Sequence, residues 1–247
     1  MSTPIIKIEK IHRYFTVGEE RVHALREVSF QIYPGEFVTI MGTSGSGKST
    51  LLNILGCLDA SSSGEYLLDG QSIRQMSKDQ RAGVRSQKLG FIFQSYNLLP
   101  KTTALENVEL PLLYNASVSA QVRKAKALEA LKAVGLSDRV FHKSNQLSGG
   151  QQQRVAIARS LINNPIMLLA DEATGNLDTR TSYEILALFQ RLHAEGKTIL
   201  FVTHNPDLAR FSSRNLVLRD GRILEDSYNT DRASAEAILA QLPIESD

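Results

Sequence analysis

Cysteine is almost absent from this chain of 247 residues; the single one, Cys57, lies in an apolar run at 51–58. One cysteine cannot close an internal disulfide, which fits a reducing cytoplasm, and Cys57 reads as a small buried hydrophobe rather than a reactive thiol. Also missing is any stretch approaching the ~20 apolar residues that cross a bilayer. Residues 1–10 lack the basic, then apolar, then small-residue pattern of an export signal. If the chain serves a membrane process, another chain must supply the membrane part. Charge of one sign is nowhere concentrated: the formal net charge of +2 is spread along the sequence and argues against nucleic acid as a partner. No internal repeat is visible, so each motif below occurs once.

What is present suffices for a large core. The length and a 42% hydrophobic content allow one large domain or two small ones without disulfides or structural metals. Residues 5–9 and 28–32 alternate apolar and polar as strands do, and Pro34-Gly35 turns into a fully apolar strand at 37–41. Further apolar strands are expected at 66–68, 89–93, 166–170 and 198–203, with helices at 120–134, ended by Gly135, and at 181–194. Strands alternating with helices predict an α/β fold, with a mostly parallel sheet covered on both faces. The helical pattern from 102 to about 133 interrupts that alternation and predicts an inserted helical subdomain. The resulting division is a single domain over 1–247. Residues 1–93 and 160–225 form its core, about 94–159 the insertion, and 226–247 a tail. Asp220-Gly221 marks a hairpin, and 231–242 a last short helix.

Two motifs carry chemistry directly. Gly42-Thr43-Ser44-Gly45-Ser46-Gly47-Lys48-Ser49, with Thr50 next in line, follows an apolar strand and opens a helical run. Glycines let the backbone wrap a phosphate, and the helix start adds its positive end. Lys48 is expected at the β- and γ-phosphates and the Ser49 hydroxyl on Mg²⁺. A glycine-rich turn that merely held a lysine would not come in this strand–loop–helix context, so a nucleoside triphosphate is the expected ligand. The second motif is the apolar strand 166–170 ending in Asp171-Glu172. Alone, such acids are as well explained as helix caps. Downstream of the loop, Asp171 is placed to hold Mg²⁺ and Glu172 to polarise the attacking water. A glutamate here, and not a glutamine, predicts hydrolysis as well as binding.

Leu147-Ser148-Gly149-Gly150-Gln151 heads a run of helical spacing and offers a second set of exposed N–H groups at a helix start. With the phosphate loop upstream, the chain from about 5 to 225 resembles the ABC-type ATPases. The resemblance implies a P-loop core, an N-terminal antiparallel β subdomain and an inserted helical subdomain. It implies ATP and Mg²⁺ as cofactors, and a Q-loop glutamine at Gln94 that ligates Mg²⁺. It also implies a D-loop at Gly175-Asn176-Leu177-Asp178, a switch histidine at His204 and an adenine-stacking aromatic at Tyr14. The signature Ser148, Gly149, Gly150 and Gln151 would complete the nucleotide site of a second copy of the chain. Ala173 stands where many relatives carry proline, and alanine is expected to loosen the turn slightly without touching the chemistry.

The stretches 95–100 and 103–112, and the acid pair continued through Thr174 to Asp178, resemble the macrolide-exporter and lipoprotein-release ATPases. That subgroup implies a transmembrane permease as partner, membrane contact only through it, and a place at the inner face of the cell membrane. Tyr96, Leu98 and Leu99 are equally candidates for the permease's groove and for the subdomain core. Cell-division regulators and iron–sulfur assembly ATPases share the same motifs and stand as alternatives.

Overall fold

The computed structural model describes residues 3–243, so residues 244–247 of the anticipated tail lie outside the described residues. The chain begins with a long hairpin, β1 (Ile6–Val17) and β2 (Glu20–Ile32), followed by β3 (Phe37–Met41) and α1 (Lys48–Leu55). Next come β4 (Ser63–Leu68), β5 (Gln71–Ser72), α2 (Lys78–Lys88) and β6 (Leu89–Phe93). A helical block of α3 (Ala104–Glu109), α4 (Ala120–Ala133) and α5 (Gly149–Leu161) precedes β7 (Met167–Asp171). Then follow α6 (Thr179–Ala194), β8 (Thr198–Thr203), β9 (Arg214–Arg219), β10 (Arg222–Tyr228) and α7 (Ala235–Leu239). Among the described residues no helix is long and apolar enough to cross a membrane.

Two sheets result. One is antiparallel, in the order β2-β1-β4-β5; the other runs β10-β9-β3-β8-β7-β6 and is parallel except for the β9–β10 hairpin. The central parallel strands β3, β8 and β7 are mostly apolar because both their faces are covered. In β7, Leu168 and Ala170 enter one core while Met167 and Leu169 enter another; Phe201 and Leu200 of β8 divide in the same way. The first core joins α5 and α6 to the helical block through Val108, Leu131, Ile157 and Phe189. The second lies between the two sheets and α1, around Ile6, Leu25, Leu51 and Leu216. The carboxyl ends of β3, β6, β7 and β8 share one edge, where open α/β sheets place their ligands.

Local chemistry explains where the elements differ from expectation. The alternation at 5–9 and 28–32 continues into one hairpin, but Lys10 (φ 49°) and Glu27 (φ 57°) interrupt it in a region of shifted register, as bulges do. The helical pattern from 102 breaks after Glu109 into a 3-10 turn, Leu110–Tyr114, that carries Pro111. Gly135 ends α4 in the left-handed region, as expected. α5 passes the 159 boundary and β10 passes the 225 boundary. The last helix spans only 235–239, starting at the Ser234 cap. α2 had no apolar stripe to reveal it, and no residue of it is buried.

Candidate active site

The loop after β3 winds so tightly that side chains are excluded from it. Gly47 has φ 105°, and a Cβ there would lie 2.8 Å from the Ala24 carbonyl oxygen of β2. Lys48 opens α1, is 8% exposed, and donates from Nζ to the carbonyls of Gly42 (2.7 Å) and Thr43 (2.9 Å). Ser49 and Thr50 follow it on the cavity wall. Within the loop the Ser46 hydroxyl is buried without a hydrogen-bond partner, and its N–H donates to the Thr43 carbonyl.

The acid pair faces this loop from β7. Burial pushes the Asp171 carboxyl above its ordinary range, the Glu172 charge adds to that, and Lys48 opposes it. Glu172 follows the strand with φ 45°, a left-handed conformation that costs a non-glycine residue about 1–3 kcal/mol. Its N–H donates to the Val202 carbonyl of β8, which fixes the turn. His204, just past β8, places Nδ1 2.8 Å from Glu172 Oε1. An ionised carboxylate only accepts, so the imidazole proton sits on Nδ1 and Nε2 is left for another partner.

These groups share one cavity of about 840 Å³. Ser44, Gly45, Gly47, Lys48, Ser49, Thr50, Asp171, Glu172 and His204 all line it. Val22, His23, Ala24 and Arg26 of β2 also line it, as do Asp220 and Gly221 of the β9–β10 turn; none of these was anticipated. The turn had a signal: Asp220 (φ 49°) and Gly221 (φ 76°) form the Asp-Gly hairpin read from sequence. What sequence could not show is its attachment to the loop, where the Gly221 N–H donates to the Ser46 carbonyl and the Arg26 N–H to Gly221.

Tyr14 does not line the cavity. It stacks on His23 at 4.1 Å, and the Arg21 guanidinium lies 3.7 Å from its ring centroid. Two groups that close cannot share a face, so both faces of the Tyr14 ring are covered. Phe15, next in β1, points the other way with Arg13 4.4 Å from its ring, and pairs directly with Val22, a cavity residue.

Other expected residues stand apart from the cavity. Ser148 caps α5: its hydroxyl accepts from the Gln151 N–H at 3.3 Å, while the Ser148 N–H donates to Gln151 Oε1 at 3.0 Å. Gly149 packs beside the Tyr96 hydroxyl and Gly150 beside Thr181. Asp178 caps α6 by accepting from the Thr181 N–H at 2.8 Å, and hydrogen bonding from the Thr181 side chain and then its N–H holds the carboxyl below the ordinary range. Gln94, after β6, is bonded to Asn176. Beside it, Arg159 of α5 donates to the carbonyls of Tyr96 and Asn97, two successive residues with positive φ.

A phosphate loop that faces a carboxylate and a histidine across one cavity is suited to breaking a phosphoanhydride bond, and it defines an ATP-hydrolysing P-loop protein. More narrowly, the chain belongs to the ABC transporter family, whose profile matches residues 25–175. An uncharacterized ABC transporter ATP-binding protein of Thermotoga maritima is 54% identical over 219 residues, covering 89% of this chain and 93% of the relative. The macrolide export ATP-binding/permease protein MacB of Syntrophobacter fumaroxidans is 51% identical over 225 residues, which is 90% of this chain but 32% of that protein. The chain thus spans about a third of the length of the macrolide-export relatives. The ATP-binding cassette MJ0796, in a dimeric post-hydrolysis state bound to ADP and Pi, superposes with a TM-score of 0.82. It is 46% identical, covering 90% of this chain and 98% of that one.

Proposed function

We propose that two copies of this chain close around two Mg-ATP and drive a separate membrane permease of the macrolide-export or lipoprotein-release type, from its cytoplasmic face. The observation that carries the reading is a division of labour within one chain. Lys48, Ser49, Asp171, Glu172 and His204 surround the cavity, while the Ser148–Gln151 cap stands elsewhere, at the start of α5, where the first N–H groups of a helix lack partners within it. The dimeric form of the MJ0796 cassette and the joined ATP-binding and permease parts of the macrolide-export relatives support it.

Among the described residues no three histidine, cysteine or acidic side chains cluster as a metal site. The available donors are the Ser49 hydroxyl, the Asp171 carboxylate and the Gln94 amide, hard oxygens that suit Mg²⁺ completed by phosphate and water. Bound there, Mg²⁺ would neutralise phosphate charge. Lys48 holds the β- and γ-phosphates, the loop N–H groups wrap them, and Glu172 orients and polarises the attacking water. His204 holds the Glu172 carboxylate in place through Nδ1. The adenine ring is assigned to Phe15 instead of Tyr14, because both faces of the Tyr14 ring are covered, while Arg13 lies over one face of Phe15. Gly149, Gly150 and Asp178 act at the second copy.

Glu172→Gln keeps the shape of the side chain and removes its charge. Gel filtration with ATP should show that variant accumulating as a nucleotide-bridged dimer, with turnover reduced by two orders of magnitude or more. Turnover near the parent's would remove Glu172 from the role.

A further inference from the structure

We propose that Asn176 is a positioning residue that selects the orientation of the Gln94 amide and turns its oxygen outward as a metal ligand; this rests on reading Gln94 as a ligand of Mg²⁺. Asn176 lies in the exposed loop between β7 and α6, beyond the catalytic acid. Its Nδ2 donates to the backbone carbonyl of Gln94 at 3.2 Å, and its Oδ1 accepts from Gln94 Nε2 at 3.1 Å. The two bonds fix each other's direction. A backbone carbonyl can only accept, so the Asn176 NH₂ must face it. Asn176 Oδ1 then faces the Gln94 side chain, which must present its own NH₂.

With the Gln94 amide reversed, its oxygen would meet Asn176 Oδ1, two acceptors facing each other, and the bond between the side chains would be lost. Gln94 Oε1 is therefore the atom left over, and among the described residues it takes part in no hydrogen bond. The preceding residue makes room for this arrangement. A Cβ at Gly175 would lie 2.7 Å from Gln94 Nε2, so a side chain there would displace the amide. The Gly175 N–H in turn donates to the Glu172 carbonyl at 2.8 Å. One short loop thus ties the catalytic acid to the orientation of the glutamine.

The test uses the full chain with a fluorescent, non-hydrolysable ATP analogue, titrated with Mg²⁺. Parent, Gln94→Ala, Asn176→Ala and the near-isosteric Asn176→Leu are compared. Binding without Mg²⁺ should match the parent in both Asn176 variants, because Asn176 does not line the phosphate cavity. The Mg²⁺ concentration at half-saturation should rise roughly three- to tenfold in both Asn176 variants, the effect of freeing one amide side chain. Melting temperatures should stay near the parent's, since Asn176 is exposed. A raised midpoint in Gln94→Ala with parent-like midpoints in both Asn176 variants would overturn the inference alone. An unmoved midpoint in Gln94→Ala would overturn the reading of Gln94 and the inference with it. Lower melting temperatures with weaker Mg²⁺-free binding and an unmoved midpoint would make Asn176 merely structural, and would also overturn it.

Discussion

A base stacks on an aromatic ring only where a face of that ring is open to it. Tyr14 offers none, with His23 on one face and Arg21 on the other, whereas Phe15 is exposed with Arg13 over one face. Base–aromatic stacking contributes about 1–3 kcal/mol, so Phe15→Ala should weaken ATP binding by roughly five- to a hundredfold. Tyr14→Ala should stay within about twofold, since that covered ring supports the hairpin. Isothermal titration with ATP decides between them, and the reverse ranking would restore Tyr14. The sequence places an aromatic pair at this point of β1 but cannot say which member faces inward. Facing depends on counting alternation through the register shifts between Ile8 and Tyr14, and a single extra residue inverts the count. The gathering of the candidate catalytic residues was legible for the opposite reason. Lys48, Asp171, Glu172 and His204 all follow apolar strands whose ends the parallel sheet brings together, and no register count separates them.

At the level of elements, the order of strands and helices was legible wherever burial wrote a pattern. α2 was not, because a helix with no buried residue leaves no stripe; its only mark is the Ser77-x-x-Gln80 capping box, with the Gln80 N–H donating to Ser77 Oγ at 3.2 Å. That unnoticed helix matters to docking. With β6, the turn after α3 and the end of α5, it borders a groove of about 340 Å³ lined by Leu58, Phe91, Phe93, Leu110, Pro111 and Arg159. Of the residues anticipated in the stretch 95–99, Leu98 packs against the core, Leu99 is 44% exposed and Tyr96 lies beside Gly149; Asn97, which was not anticipated, lines the groove. A permease helix entering the groove would therefore meet Arg159 and, through its two bonds, the backbone that follows Gln94. Leu58 is half exposed, so Leu58→Asp should leave the melting temperature and ATP binding unchanged. Copurification with the permease from detergent-solubilised membranes should fall several-fold, because a charge would be desolvated in the interface. A variant that stays with its permease would place the docking surface elsewhere.

The whole molecule carries each half of a nucleotide site once, a loop at 42–49 and a signature at 147–151. A twofold dimer pairs the loop of each copy with the signature of the other, so two complete sites appear together. This arrangement predicts the behaviour of mixtures. Ser148→Arg puts a bulky cation where the partner's γ-phosphate belongs and leaves its own loop intact. Lys48→Ala damages the loop and leaves the signature intact. Each variant alone should turn over ATP at background level, since every site in either homodimer has one damaged half. In a mixed dimer the two lesions fall into the same site, and the other site joins an intact Lys48 to an intact Ser148. Equal mixing should make about half of the dimers mixed, so independent sites would recover about a quarter of the parent's turnover. Strong coupling between the two sites would lower that fraction without abolishing it. Measuring phosphate release while varying the ratio of the two variants at fixed total protein gives the decisive shape. Activity should be near zero at both ends and greatest at equal amounts. If each chain instead completed its own site, no mixture would exceed the weighted sum of the two variants, and the shared-site arrangement would be wrong.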